Sequence, residues 1–153
     1  MLRRDAILDA LTTALNAAGK PTGTEVERYR TVQQPADQHI SVYHIGTAIE
    51  RSHGSQFGAL AVHKMRVRLD LTVKRVADTE PADGATSDLL QWAWRQAVTD
   101  ATLRALVLDI EPIISAPDVE TFDKTYTREA FELLVTFDSD LTDPAAMPGE
   151  ASS

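Results

Sequence analysis

The strongest restriction on the fold comes from a long alternation of apolar and polar residues between Ala61 and Val76. Alternate side chains of a β-strand point to opposite faces, so this pattern predicts a strand with one face in a core and the other in solvent. Its apolar positions are Met65, Val67, Leu69, Leu71 and Val73. Such a strand extends on the order of 50 Å, whereas a compact domain of this length is only about 30–40 Å across. We therefore expect either a β-bulge in the strand or a β-hairpin that projects from the body.

A second alternation, in the stretch REAFELLVTFDSDLTDP at residues 128–144, predicts another half-buried strand. Its apolar positions are Phe131, Leu133, Val135 and Phe137. The residues that follow are mostly Asp, Ser and Pro, which favour turns or cannot donate to a sheet ladder, so the strand is predicted to end there. Residues 39–50 and 103–115 also predict strands, and a short one is predicted around Val26.

Two amphipathic helices are indicated by apolar residues at helical spacing. The first covers residues 4–18, and its apolar positions are Ile7, Leu8, Leu11, Leu15 and Ala18. The second begins after a predicted cap at Thr86 or Ser87. Its apolar face consists of Leu90, Ala93, Trp94, Ala97 and Ala101. Of the tryptophans in this helix, Trp92 and Trp94, one is expected in the core and the other at a packing surface or an interface.

The order of a helix, two or three strands, a helix and two strands predicts an α+β fold. A chain of 153 residues supports one core, so we predict a single domain over residues 1–143 and a disordered tail at residues 144–153. The domain should contain a mixed or antiparallel sheet of about four to five strands, two helices packed on one face, and a projecting β-hairpin. The predicted core is Leu8, Leu11, Leu15, Val67, Leu69, Leu71, Leu90, Trp94, Phe131, Leu133, Val135 and Phe137.

Charge and composition exclude several functional classes. The formal net charge of -8, from 23 acidic and 15 basic residues, would repel nucleic acid and anionic membranes from most of the surface. Cysteine is absent from the sequence, which excludes disulfides and thiol chemistry. No apolar run approaches the roughly 20 residues of a membrane span, and the N-terminal MLRRDAILDAL is an interrupted helix pattern rather than a signal peptide. We therefore expect a cytoplasmic protein that neither reads DNA sequence nor enters a membrane.

No motif in the sequence indicates catalysis or metal binding. The histidines are His39, His44, His53 and His63. None of them forms a pair at the i, i+4 spacing of helical metal ligands. The stretch DSDLTD resembles the opening of a calcium-binding loop, but Asp143 replaces its glycine and Gly149 replaces its bidentate glutamate. We therefore predict no enzyme activity, no metal and no cofactor.

A candidate interaction surface lies along the predicted hairpin. The basic residues on the polar face of its second strand form either a solvated face or a contact with an acidic surface of another subunit. The loop RSHGSQFG at residues 51–58 joins the two strands and is rich in turn-forming residues. The candidate subunit interface is Arg51, Ser52, His53, Gln56, Phe57, Lys64, Arg66 and Arg68.

The stretches SDLLQWAWRQAVTDATLRALVLDIEP and YTREAFELLVTFDSDLTDP together resemble the tail terminator, or tail-completion, minor tail proteins of long-tailed bacteriophages. The shared pattern is a helix, an Asp-x-Thr-Leu turn, a strand, and a final strand that closes in an acidic Asp-Pro. The turn is matched here by Asp100, Thr102 and Leu103. Relatives often have glycines directly after the turn leucine, where this chain has Arg104 and Ala105. The resemblance extends over residues 87–144, and the preceding helix and hairpin agree with the family's order of elements.

The resemblance implies a structural virion protein that assembles in the host cytoplasm and belongs to the phage tail. Such proteins form a ring, typically hexameric, that closes the tail tube and presents a surface for the filled head. The implied partners are further copies of the chain, the tail-tube protein and a head-completion or connector protein, with DNA only as passing cargo. Asp138, Asp140 and Asp143 would then form an acidic channel lining or partner surface. Two alternatives stay open: another head-tail joining or neck adaptor protein of a phage, and a non-viral binding module or enzyme.

Overall fold

The computed structural model describes residues 3–28, 37–51, 61–74, 86–122 and 126–139. In chain order the elements are α1 (Arg3–Leu15), β1 (Thr24–Arg28), β2 (Gln38–Arg51), β3 (Ala61–Lys74), α2 (Ser87–Thr99), α3 (Ala101–Leu106), β4 (Asp109–Phe122) and β5 (Tyr126–Ser139). The predicted C-terminal tail at 144–153 lies outside the described residues.

The strands form one mixed sheet in the order β1-β2-β3-β5-β4. β1 runs parallel to β2, and all other neighbouring strands are antiparallel. β3, which carries the clearest alternation in the sequence, is the central strand, and it pairs with β5 from Ala61↔Ser139 to Lys74↔Tyr126. The predicted α+β fold, with a hairpin formed by β2 and β3, is therefore confirmed.

The irregularity expected in the hairpin lies in β2 rather than in β3. The register between these strands shifts between His44 and Gly46, so Ile45 is an extra residue in β2. A bulge in β3 would disturb two ladders, because β3 has a partner on each side. β1 pairs with β2 only as far as Val42, so at the bulge β2 has one partner strand among the described residues. The bulge therefore falls in the less constrained strand of the two.

The helices cover one face of the sheet and form the core with it. Side chains of α1, α2 and α3 pack in one cluster with alternate residues of β3 and β5 and with Ile40 and Val42 of β2. The predicted core residues that are buried are Leu8, Leu11, Leu15, Val67, Leu69, Leu71, Leu133, Val135 and Phe137. Packing on one face is as predicted, but the described chain has three helices where two were expected.

Three predicted core residues lie at the margin of the core. Leu90, Trp94 and Phe131 are only partly buried. The buried residues of α2 are Leu89, Ala93 and Ala97. Ala93 and Ala97 belong to the predicted face, but the helix is turned so that Leu89 is buried in place of Leu90 and Trp94. The small alanines allow the helix to approach the sheet closely. Trp94 instead packs edge-on against Phe131, with ring centroids 6.2 Å apart.

The third helix replaces the start of a predicted strand. We expected a strand over residues 103–115, but residues 101–106 form α3 and β4 begins at Asp109. Asp100 is extended and its carboxylate accepts a hydrogen bond from the Leu103 backbone N–H at 2.9 Å, which caps α3. Leu103 is buried in the core, so packing and capping together favour the helical turn. Asp100 and Leu103 belong to the turn on which the family resemblance was based.

Candidate functional site

The sheet face opposite the helices is polar, and its charges are paired within the chain. Arg66 Nη2 lies 2.6 Å from Glu132 Oε2, and Arg68 Nε lies 2.8 Å from Asp70 Oδ1. Arg128 Nη2 adds a second contact to Asp70, at 3.6 Å. The predicted interface residues Arg66 and Arg68 thus have acidic partners in their own chain. A neighbouring subunit that used them would have to share or displace these partners.

A buried polar group joins β1 to β2 at the other end of this face. His39 Nε2 lies 3.7 Å from Glu27 Oε2, and His39 Nδ1 lies 3.2 Å from Ser41 Oγ. Serine, histidine and carboxylate follow one another here as in a hydrolase triad. Ser41 is only 3% exposed and His39 only 1%, so a substrate carbonyl cannot reach the hydroxyl. The arrangement offers no accessible nucleophile, and it holds two parallel strands together.

The other described histidines are also isolated from one another. His44 Nε2 lies 2.8 Å from Thr47 Oγ1 on β2, and His63 stacks on Phe137 with ring centroids 4.8 Å apart. Among the described residues, no group of three or more histidine or carboxylate side chains could hold a metal ion. His53 lies outside the described residues. Burial lowers the pKa of His63, and the nearby Asp138 carboxylate offsets this only in part.

We predict that His63, which stacks on Phe137, makes the free energy of unfolding depend on pH. Because its pKa in the folded chain lies below the ordinary value of 6.5, the unfolded chain binds a proton first as the pH falls. The free energy of unfolding should therefore decrease as the pH drops through 6.5, and His63→Leu should lessen that decrease. His44→Gln tests a second histidine whose pKa burial also lowers, and it should lessen the decrease as well. Urea unfolding at several pH values measures the effect, and an unchanged pH profile in His63→Leu would contradict it.

One exposed apolar patch lies on β2, beyond its pairing with β1. We call residues 43–51 the β2 edge segment. β1 pairs only with residues 38–42, so the outer side of this segment has no partner strand in the described chain. Ile45 is 45% exposed and Ile49 is 52% exposed, unusually high values for large apolar side chains in a sheet. The segment thus combines exposed apolar side chains with a backbone edge that β1 does not cover.

A second patch, with an exposed leucine beside a groove, lies at the opposite edge of the sheet, where α3 meets β4. A groove of about 410 Å³ is lined by Val98, Arg104, Val107, Leu108, Asp109 and Ile110, and we call it the Leu108 groove. Leu108 is 60% exposed. Asp109 lines the groove together with the basic Arg104. A hydrogen bond with Asp109, together with the charge of that carboxylate, raises the pKa of the exposed Glu111, two residues further along β4. The groove is thus lined by charged as well as apolar residues.

The two patches lie at the same level of the sheet. Ala48 of the β2 edge segment is opposite Lys64, and Lys64 is opposite Thr136. Thr136 in turn is opposite Asp109, and its carbonyl oxygen accepts a 2.7 Å hydrogen bond from the Leu108 N–H. One row of residues therefore runs from the first patch to the second, across three strand spacings or about 14 Å.

Most of the predicted interface and acidic residues do not meet at one described site. Arg51 ends β2, next to the apolar patch, while Lys64, Arg66 and Arg68 lie on the polar face of β3. Asp138 is exposed near the end of β5. The predicted residues Ser52, His53, Gln56, Phe57, Asp140 and Asp143 lie outside the described residues.

Ile45, Ile49 and Leu108 were not predicted as surface residues, because an apolar residue in a predicted strand is ordinarily assigned to the core. Comparison with known protein families and with curated proteins found no match for this chain. No helix in the described part of the chain is long and apolar enough to cross a membrane. The observed features are an α+β fold and exposed large apolar side chains at two opposite edges of its sheet.

Proposed function

We propose that this protein is a structural component of a phage tail, which assembles as a ring, typically hexameric, at the end of the tail tube and completes it. The observation that carries the proposal is the pair of unlike surface patches at opposite edges of one sheet: the β2 edge segment with its exposed isoleucines, and the mixed polar and apolar Leu108 groove. A ring forms by heterologous contacts, in which one patch of a subunit meets a different patch of the next. Two unlike patches per subunit meet this requirement.

The internal pairing of other polar groups favours an assembly role over catalysis. The sheet face opposite the helices contains ion pairs such as Arg66–Glu132, and His39 and Ser41 are buried beside the partly exposed Glu27. In the proposed ring, the tail-tube protein and a head-completion or connector protein contact the two ends. DNA passes through the channel without specific binding, because a net charge of -8 disfavours phosphate adhesion. The protein is then located in the virion tail after assembly in the host cytoplasm.

Sedimentation velocity at several protein concentrations separates this proposal from its main alternative. A ring protein is expected to sediment as a monomer in equilibrium with a species of hexamer size, without a populated dimer. A dimer that persists at every concentration would instead favour a non-viral binding module.

A tail-completion assay tests the function itself. The purified chain is added to a lysate of the parent phage in which its gene carries a stop codon. We expect tails to acquire a terminal ring in electron micrographs and infectious particles to increase. A neck adaptor would leave ring-capped tails unchanged in number while increasing head-tail joining. No increase in either measure would contradict a role in the tail.

A further inference from the structure

The β-bulge divides β2 into two parts that differ in what fixes their pairing with β3. Residues 38–44, the inner part, pair so that Ile40 and Val42 lie fully buried in the core. Ile45 is the extra residue of the bulge, and pairing resumes in residues 46–51, the outer part. A change of register in the inner part would move its buried side chains to the other face, so packing fixes that register.

Packing does much less to fix the register of the outer part. Thr47 and Ala48 are exposed, and Ile49 is 52% exposed although it lies opposite the buried His63. Gly46 has no side chain to pack against a neighbour. A strand that buries so little on either face is prone to slip along its partner.

A slip of the outer part by one residue would keep the number of paired residues unchanged. Ile45 would enter the ladder with β3, and Arg51 would leave it. Because side chains alternate between the two faces, the slip would exchange the faces of the whole outer part. Ile49, which lies opposite His63 on the helix side of the sheet, would then lie opposite Val62 on the polar face.

One side-chain hydrogen bond connects the inner part to the outer part across the bulge. His44 Nε2 lies 2.8 Å from Thr47 Oγ1. His44 belongs to the inner part, and its ring is close enough to Asp5 of α1 and Arg28 of β1 for their charges to act on it. The bulge brings His44 and Thr47 to the same face of the sheet. In the slipped register they would lie on opposite faces, so this hydrogen bond belongs to the observed register alone.

We propose that the His44–Thr47 hydrogen bond selects between two registers of the outer part of β2, and that without it the outer part exchanges between them. The exchange moves Ile49 from one face of the sheet to the other, so it changes which face presents this apolar side chain. A single hydrogen bond contributes a small free energy, and that is sufficient where packing discriminates so little. The inference is independent of the proposed function, since it concerns the pairing within one chain.

Two engineered cysteine pairs measure the two registers, and the sequence contains no native cysteine to compete with them. Ala48→Cys with Lys64→Cys can close a disulfide in the observed register, where these two residues are opposite each other. Ile49→Cys with Val62→Cys can close one only in the slipped register, because in the observed register the two residues lie on opposite faces. The effective concentration of each pair, measured against a glutathione redox buffer, is proportional to the population of its register.

Thr47→Val, made in both cysteine-pair backgrounds, should shift the ratio of the two effective concentrations toward the slipped register by about twofold to tenfold. Valine keeps the shape of threonine but has no hydroxyl group for His44. Thr47→Ser is the matched control, because it keeps the hydroxyl and should keep the wild-type ratio. Strand propensity alone would predict the opposite order, since valine favours strands more than serine does. His44→Leu removes the hydrogen bond from its other end and should reproduce the shift.

Three results would overturn this inference. The first is a wild-type ratio in both Thr47→Val and His44→Leu. The second is a fall in the effective concentration of both cysteine pairs in these variants, because the outer part would then unpair rather than change register. The third is a shift of equal size in Thr47→Ser and Thr47→Val, because the hydroxyl group would then not be the cause.

Discussion

Leu133→Ala is expected to lower the free energy of unfolding by about 2–5 kcal/mol, measured by urea or thermal unfolding. Leu133 is fully buried in the middle of β5, and its cross-strand neighbours are Val67 of β3 and Pro112 of β4. Truncation removes apolar contacts and leaves a cavity, and strands that are hydrogen-bonded on both sides cannot move inward to fill it.

The adjacent residue provides a matched control for this prediction. Leu134 lies on the opposite face of β5 and is only partly buried, so Leu134→Ala should cost less than about 1 kcal/mol. The same side chain is thus truncated at two neighbouring positions that differ in the face they occupy. A loss below about 0.5 kcal/mol for Leu133→Ala would mean that β5 presents its other face to the core.

Thr86→Val is expected to lower the free energy of unfolding by about 1–3 kcal/mol. The Thr86 hydroxyl donates a 2.5 Å hydrogen bond to Glu129 Oε2, and both side chains are buried. Valine has nearly the same shape but no donor, so the carboxylate would lose this partner in a place with little access to water. The Thr86 side chain makes no capping hydrogen bond to α2, so the loss of stability in Thr86→Val measures the contact with Glu129.

A second threonine at the same end of the sheet should respond in the opposite way. Thr127 is fully buried, and its hydroxyl oxygen has no hydrogen-bond partner among the residues that the structure describes. Thr127→Val therefore removes a polar atom that gains nothing from burial, and stability should stay unchanged or rise. Equal losses in Thr86→Val and Thr127→Val would show that packing rather than the hydrogen bond determines the effect.

Elements with a strong local pattern were predictable from the sequence. The alternation in β3 and β5 predicted which face of each strand is buried, since a strand between two partners has only two faces to present. In α2 the pattern was ambiguous, because both Leu89 and Leu90 precede alanines at helical spacing. Packing against the sheet selected the line through Leu89 and left Trp94 at the edge.

The short helix α3 shows where local signals compete. Residues 103–108 are mostly apolar and favour a strand by composition, yet the Asp100 cap and burial of Leu103 make residues 101–106 helical. The capping aspartate was visible in the sequence, but its effect depended on the core position that Leu103 could reach. Tertiary contacts decided between two local structures of similar propensity.

The sequence by itself determined the fold class, the central hairpin and the polar face of the sheet, because these follow from side-chain periodicity, which is a local property. Only the tertiary structure decided which apolar residues remain in solvent. Ile45, Ile49 and Leu108 look like core residues in the sequence, and they are exposed because strand order places them at the two edges of the sheet. Strand order depends on contacts between residues far apart in the chain, and no local pattern encodes such contacts.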